Sequence, residues 1–178
     1  GLIFVEDDNS DQLDLPKDYG VNDFPLIIQD RSFDADNQFD YAGAYDPDGT
    51  YGDTLLVNGT INPFVEVKNE QIRLRLVNGS NARNYTFGLE NGAEFHQIAS
   101  DGGFLEQPVA LTSVTLTPGE RAEIIVDLSG YAEGDTVKLM DGNATVLSLN
   151  VTEETDAQTA LPQTLNEITE LTTEGAAV

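Results

Sequence analysis

The side chains able to do chemistry in this chain are few, and their spacing narrows them further. Ser100, His96 and Asp101 make a hydrolase-like set by type. They lie too close together to converge as nucleophile, base and orienting acid, and no G-x-S-x-G elbow accompanies them. Ser100-Asp101-Gly102-Gly103 reads instead as a tight turn, with glycines at positive φ and Asp101 bonding nearby backbone amides. His96 alternates with Gln97 and Ile98 at a strand end and reads as a structural or partly exposed histidine. The absence of cysteine excludes disulfides, thiolate metal sites and a cysteine nucleophile. There is no phosphate loop and no G-x-G-x-x-G.

Carboxylates are the abundant donors. Asp34, Asp36 and Asp40, and again Asp46, Asp48 and Asp53, are clustered oxygen ligands of the kind calcium takes. The glycine and the closing acid that an EF-hand loop needs fall on Phe39 and Tyr45, so the pattern fails. The segment reads as a solvated acidic loop, with calcium or partner binding as the alternative. Five N-x-S/T sequons, at Asn58, Asn78, Asn84, Asn143 and Asn150, bear only on a eukaryotic secretory setting.

Arg73, Arg75, Arg83 and Arg121 stand out because bases are scarce, and each should find a carboxylate, since guanidinium pairs bidentately with one. Glu120 and Glu123 flank Arg121, and Asp101 is the expected partner of Arg83. Arg83, Asp101 and Arg121 are therefore the candidate turn-fixing residues. Arg83 has the further possibility of lying on a face that meets a neighbouring domain.

The elements that must position these residues are strands. Ile72, Leu74 and Leu76 alternate with Arg73, Arg75 and Val77, the period of a half-buried strand. Ala122, Ile124, Val126 and Leu128 alternate with Glu123, Ile125 and Asp127 in the same way. Further short strands are expected over 24–30, 54–57, 64–67, 85–89, 94–99, 105–111, 114–116, 136–140 and 145–151. Pro25 suits a strand entry or edge. Asn91-Gly92 and Asp141-Gly142 read as type I′ hairpin turns, in which both central residues take positive φ. No helical pattern of comparable strength precedes residue 160. Many short strands with turn signals between them predict an all-β sandwich or barrel.

The net charge of −24, from 32 acids and eight bases, argues against nucleic acid and anionic membrane as partners. Crowded carboxylates repel one another, which predicts raised folded-state pKa values and stability that rises on mild acidification. No apolar run approaches the roughly 20 residues of a membrane helix. No signal-peptide pattern opens the chain, which starts in a strand-like run and reads as a piece of something longer.

Four stretches carry a resemblance: GDTLLVNG (52–59), RLRLVNGSNAR (73–83), HQIASDGGFL (96–105) and PGERAEIIVD (118–127). In this order they resemble the second domain of a three-domain bacterial multicopper oxidase of the laccase or cuprous oxidase type. GLIFVEDD at the start resembles the last strand of such an enzyme's first domain. The resemblance implies a cupredoxin-like Greek-key β-barrel or sandwich at 24–152. Residues 1–7 are then a remnant strand, 8–23 a linker, and 153–178 a linker toward a third domain. It implies copper in the parent protein, oxidation of phenols or metal ions with reduction of dioxygen to water, and the first and third domains as partners. It places the protein outside the cytoplasm, with a cytoplasmic location as the alternative, and some family members are copper-less scaffolds in cell division. A blue-copper centre takes two histidines and a cysteine with a weak axial methionine, whereas this chain offers only His96 and Met140. No cofactor, catalytic residue or metal ligand is therefore expected within it. The run 2–5 is expected to lie along a sheet edge or to pair weakly with a second copy of the chain.

Overall fold

A computed structural model describes residues 2–43, 45–156 and 159–169. Two sheets face each other. The first holds six strands, β1 (Asp23–Arg31), β4 (Thr54–Val57), β6 (Gln71–Asn78), β8 (Phe95–Ser100), β9 (Gly103–Leu111) and β11 (Arg121–Asp127), in the order β4-β1-β6-β11-β8-β9. The second holds β5 (Phe64–Lys68), β7 (Tyr85–Leu89), β10 (Ser113–Leu116), β12 (Thr136–Asp141) and β13 (Ala144–Glu153), in the order β10-β7-β12-β13-β5. A small hairpin of β2 (Tyr45–Asp46) and β3 (Gly49–Thr50) stands apart. From β6 to β12 the chain passes repeatedly between sheets, so long-range pairing replaces a simple meander. The β1–β6 and β5–β13 pairs are parallel. This is an all-β, cupredoxin-like sandwich, as the strand pattern and the resemblance predicted.

The core lies between the sheets. Ile72, Leu74 and Leu76 of β6 and Ile124 and Val126 of β11 meet Tyr85, Phe87, Leu139, Leu147 and Leu149 from the other sheet, all buried. Burying one such side chain is worth about 1.5–3 kcal/mol relative to leaving it exposed, so this cluster dominates stability.

The turns differ from the sequence expectation in an instructive way. Asn91-Gly92 is not a hairpin: it joins β7 and β8, which lie in opposite sheets, and Gly92 alone has positive φ. Asp141-Gly142 does connect a hairpin, β12–β13, but Asp141 pairs with Ala144. Gly142 therefore takes the first central position, with positive φ there only, as in a type II′ turn. The I′ geometry belongs to Asn58-Gly59, with φ of 51° and 80° and reciprocal Val57–Thr60 backbone bonds of 2.9 Å. Asn58 also closes the open side of β1, since its Oδ1 accepts from Ile27 N at 2.9 Å and its Nδ2 donates to the Pro25 carbonyl at 2.8 Å. Proline tolerates that side because no strand pairs there.

Helix α1 (Asp8–Gln12) falls within the stretch predicted as a linker. Asp7 caps it, accepting from Ser10 N at 2.8 Å while Ser10 Oγ accepts from Asp7 N at 2.7 Å. This reciprocal cap resembles a capping box but has Ser in place of Glu, and five residues are too few to show helical periodicity.

Candidate functional site

The outer face of the six-stranded sheet is where the charges gather. β6 is buried on both faces, so the arginine side predicted to face outward is covered instead. Residues 2–17 cross this face, and residues 161–166 lie beside them. Leu15, Ile98, Ile125 and Leu165 form a second buried cluster there, with Leu13, Phe104 and Leu161 packed against it. The two covering segments touch: Asn9 Nδ2 donates to the Leu165 carbonyl at 3.0 Å, and Leu165 N donates to the Glu106 carbonyl of β9 at 2.8 Å. Of the stretch 153–178 expected as a linker, residues 157, 158 and 170–178 lie outside the described residues.

Beneath the cover lies an ion network. Arg75 Nε donates to Asp23 Oδ1 at 2.8 Å and Nη2 to Oδ2 at 2.5 Å, a buried fork. Arg73 donates to Glu123 from both Nε, at 2.7 Å, and Nη2. Arg75 Nη1 lies 3.6 Å from the same carboxylate and Nη2 lies 4.0 Å from Glu6. Phe4 covers the Arg75 guanidinium at 4.3 Å from ring centroid to Cζ, and Phe104 faces Arg73 at 5.4 Å. A cavity of about 340 Å³ opens between this network and α1, lined by Arg73, Arg75, Glu123, Ser10 and Lys17 among others.

The run 2–5 therefore lies across a sheet face, over Arg75, and not along an edge. Its aromatic residue finds a guanidinium there, while Ile3 and Val5 point outward and are exposed.

Asp101 does not pair with Arg83. The β8–β11 register, with Ser100 opposite Ala122, brings Asp101 to Arg121: Oδ1 accepts from Arg121 N at 2.7 Å and lies 3.0 Å from Nη1. The parallel β1–β6 register, with Ile28 opposite Asn78, brings Arg83 instead to Asp30. Arg83 Nε donates to Asp30 Oδ2 at 2.9 Å and Nη2 donates to the Gly52 carbonyl at 2.8 Å. The Gly52 amide donates back to Asp30 Oδ2 at 2.7 Å, and a Cβ on Gly52 would run into the Arg31 backbone. This closes the acidic loop 31–53 at its base. Of the acids flanking Arg121, Glu120 accepts from Thr117 N at 2.6 Å and Glu123 serves Arg73 and Arg75. Register between distant strands decided these pairings, and no local spacing signals it.

Resolved shifts of carboxyl pKa run downward. Burial pushes Asp30 up, but the nearby Ser80 hydroxyl and the hydrogen bonds from Arg83 and the Gly52 amide outweigh it and hold the carboxyl below its ordinary range. Asp7 and Glu120 are lowered chiefly by backbone hydrogen bonds from Ser10 and Thr117. At these groups hydrogen bonding, and not the expected repulsion, sets the direction. Tyr85, whose hydroxyl meets Ser80 Oγ at 2.8 Å, is pushed up to about 12 by burial.

In the loop, Asp34 Oδ1 accepts from the Asp36 and Gln38 amides at 2.9 Å each, Asp40 from Gly43 and Asp46 from Asp48. These carboxylates fix turns. The residues do not fit a copper centre: His96 sits on β8 and Met140 on β12, in opposite sheets, and the sequence has no cysteine or second histidine.

A cupredoxin-like sandwich whose single histidine and methionine do not make a copper ligand set defines the class, and comparison with known proteins refines it. A family model described as multicopper oxidase matches residues 22–137. Multicopper oxidase mco of Staphylococcus haemolyticus is 47% identical over 147 residues, covering 83% of this chain and 32% of that protein. Cell division protein FtsP of Proteus mirabilis is 49% identical over 144 residues, covering 81% and 30%. A crystal structure of a multicopper oxidase from Pediococcus acidilactici superposes with a TM-score of 0.89 at 40% identity, over 96% of this chain and 36% of that one. McoA from Aquifex aeolicus gives 0.83 at 38% identity, over 96% and 41%. The chain belongs to the multicopper oxidase family. It spans about a third of the length of the curated relatives it matches.

Proposed function

We propose that the chain is the copper-free middle domain of a three-domain multicopper oxidase. Its part is architectural: it holds the first and third domains so that the copper cluster they share can close. The whole protein then oxidises phenols or metal ions and reduces dioxygen to water, outside the cytoplasm. The observation that carries this reading is the outer face of the six-stranded sheet, where segments 2–17 and 161–166 lie side by side, pinned by Asn9 and Glu106. Chain entering and leaving along one rigid, ion-paired face gives flanking domains a fixed mutual position. Arg83 is half-exposed above Asp30, with Tyr51 5.5 Å away, and this exposure supports a contact from it to a neighbouring domain.

The test is oxygen consumption by the full-length protein loaded with copper, with a phenol or a cuprous salt as electron donor. Turnover supports the reading. A copper-loaded protein that consumes no oxygen with either donor contradicts it, and a full-length protein that takes up no copper contradicts it in favour of the second reading, a copper-less scaffold. That second reading is favoured by one observation, the 49% identity to a protein named for cell division.

A further inference from the structure

We propose that Asn91 is a site of spontaneous deamidation in the folded protein. The chain has three Asn-Gly pairs, at Asn58, Asn78 and Asn91. The same chemistry is available to each. The backbone nitrogen of the glycine attacks Cγ of the asparagine and loses its proton to solvent. The Cγ–Nδ2 bond of the asparagine breaks as Nδ2 takes a proton back from solvent, and ammonia leaves. Water then opens the resulting succinimide to aspartate or isoaspartate. No electrons change hands, and water is the one co-reactant.

Two conditions govern the rate. Cγ must be held near the glycine nitrogen, because a pre-arranged approach removes much of the entropic barrier. Water must reach the site to take the proton, carry off ammonia and hydrolyse the ring.

The three sites satisfy these conditions differently. Asn58 is exposed, but its side chain is turned away onto β1, with Oδ1 on Ile27 N and Nδ2 on the Pro25 carbonyl. Asn78 has the near approach, since its Oδ1 accepts from Ser80 N at 3.0 Å and so folds Cγ over the intervening Gly79 nitrogen. It is, however, only 1% exposed, and its Nδ2 is held by the Arg83 and Leu116 carbonyls at 2.8 and 2.9 Å. Asn91 combines both conditions. Its Oδ1 accepts from Ala93 N at 3.0 Å, again across the glycine, and the residue is exposed. That bond also polarises the Cγ carbonyl toward attack. Among the described residues Nδ2 is held only by the Tyr131 hydroxyl, at 2.6 Å, and the space around Gly92 is open. Against attack stands the bond from Gly92 N to the Leu89 carbonyl at 2.9 Å, which must be given up. Gly79 gives up a shorter one, 2.7 Å, to the Ile28 carbonyl.

The test is peptide mapping of the folded protein held at mildly alkaline pH, scoring each site for amide-to-acid mass gain and for isoaspartate. Asn91 should convert about tenfold faster than Asn58 or Asn78, the factor assigned to the combined approach and access. In concentrated urea the three rates should draw together, because only the fold separates them. Asn91→Gln should remove the fast site and leave the other two unchanged. Equal or faster conversion at Asn58 or Asn78 in the folded protein overturns the proposal. So does an Asn91 that stays intact when folded yet converts in urea.

Discussion

Arg75 is held by Asp23 through a buried fork, by Glu123 and Glu6 at longer range, and by the Phe4 ring above it. A buried pair of this kind contributes little beyond an apolar pair of the same shape, but breaking it strands a charge and costs about 3–5 kcal/mol. Asp23→Ala is therefore expected to lower folding stability by about 3 kcal/mol. The double variant Asp23→Ala, Arg75→Met should recover much of that loss, as read from urea midpoints. A single variant within about 0.5 kcal/mol of the parent, the range usual for neutral surface changes, would show that the pair does not hold this face. Asp30 makes a separate prediction. Its folded-state pKa lies below the ordinary 3.8, so its contribution is present above that value and lost as pH falls through the lower folded value. Melting temperature against pH should show an acid loss in the parent that is smaller in Asp30→Asn. Parallel profiles would mean that the carboxylate is not what closes the loop base.

At the scale of elements, the strands of the core were legible because their alternation is strong and local: Ile72, Leu74 and Leu76 all point inward. The reverse side of β6 was not. Arg73 and Arg75 look solvent-facing in sequence, yet both are buried, because chain far away in sequence folds over them. The misplaced partner of Arg83 has another non-local cause, the β1–β6 register, and α1 was too short to read. Turn type was half legible, since an Asn-Gly pair announces a turn but not whether the strands it joins share a sheet. The segment 2–5 carries its own prediction. Phe4 packs inward while Ile3 and Val5 are exposed, which leaves an apolar surface open to a second copy. Deleting residues 1–7 should lower stability by exposing Arg75. It should also abolish a weak self-association that salt strengthens by screening the acids behind it. Unchanged sedimentation and melting on deletion would show that the segment contributes to neither.

For the whole molecule, the fold is a cupredoxin-like sandwich of the multicopper oxidase family, and the proposal is that it supports copper chemistry in the full-length protein without holding copper itself. The fold and the family were legible from four stretches in the right order, while the expectation that the chain holds no copper rests on its offering only His96 and Met140. The covered outer face, on which the architectural reading rests, was not legible, because it depends on which strands neighbour β6 and β11. The most direct measurement is copper retained after dialysis against a weak chelator, taken on this chain and on the full-length protein side by side. The chain is expected to hold no copper tightly, and the full-length protein to hold several coppers with a strong visible charge-transfer band. A stoichiometric copper with such a band on the chain alone, or none on the full-length protein, would contradict this expectation.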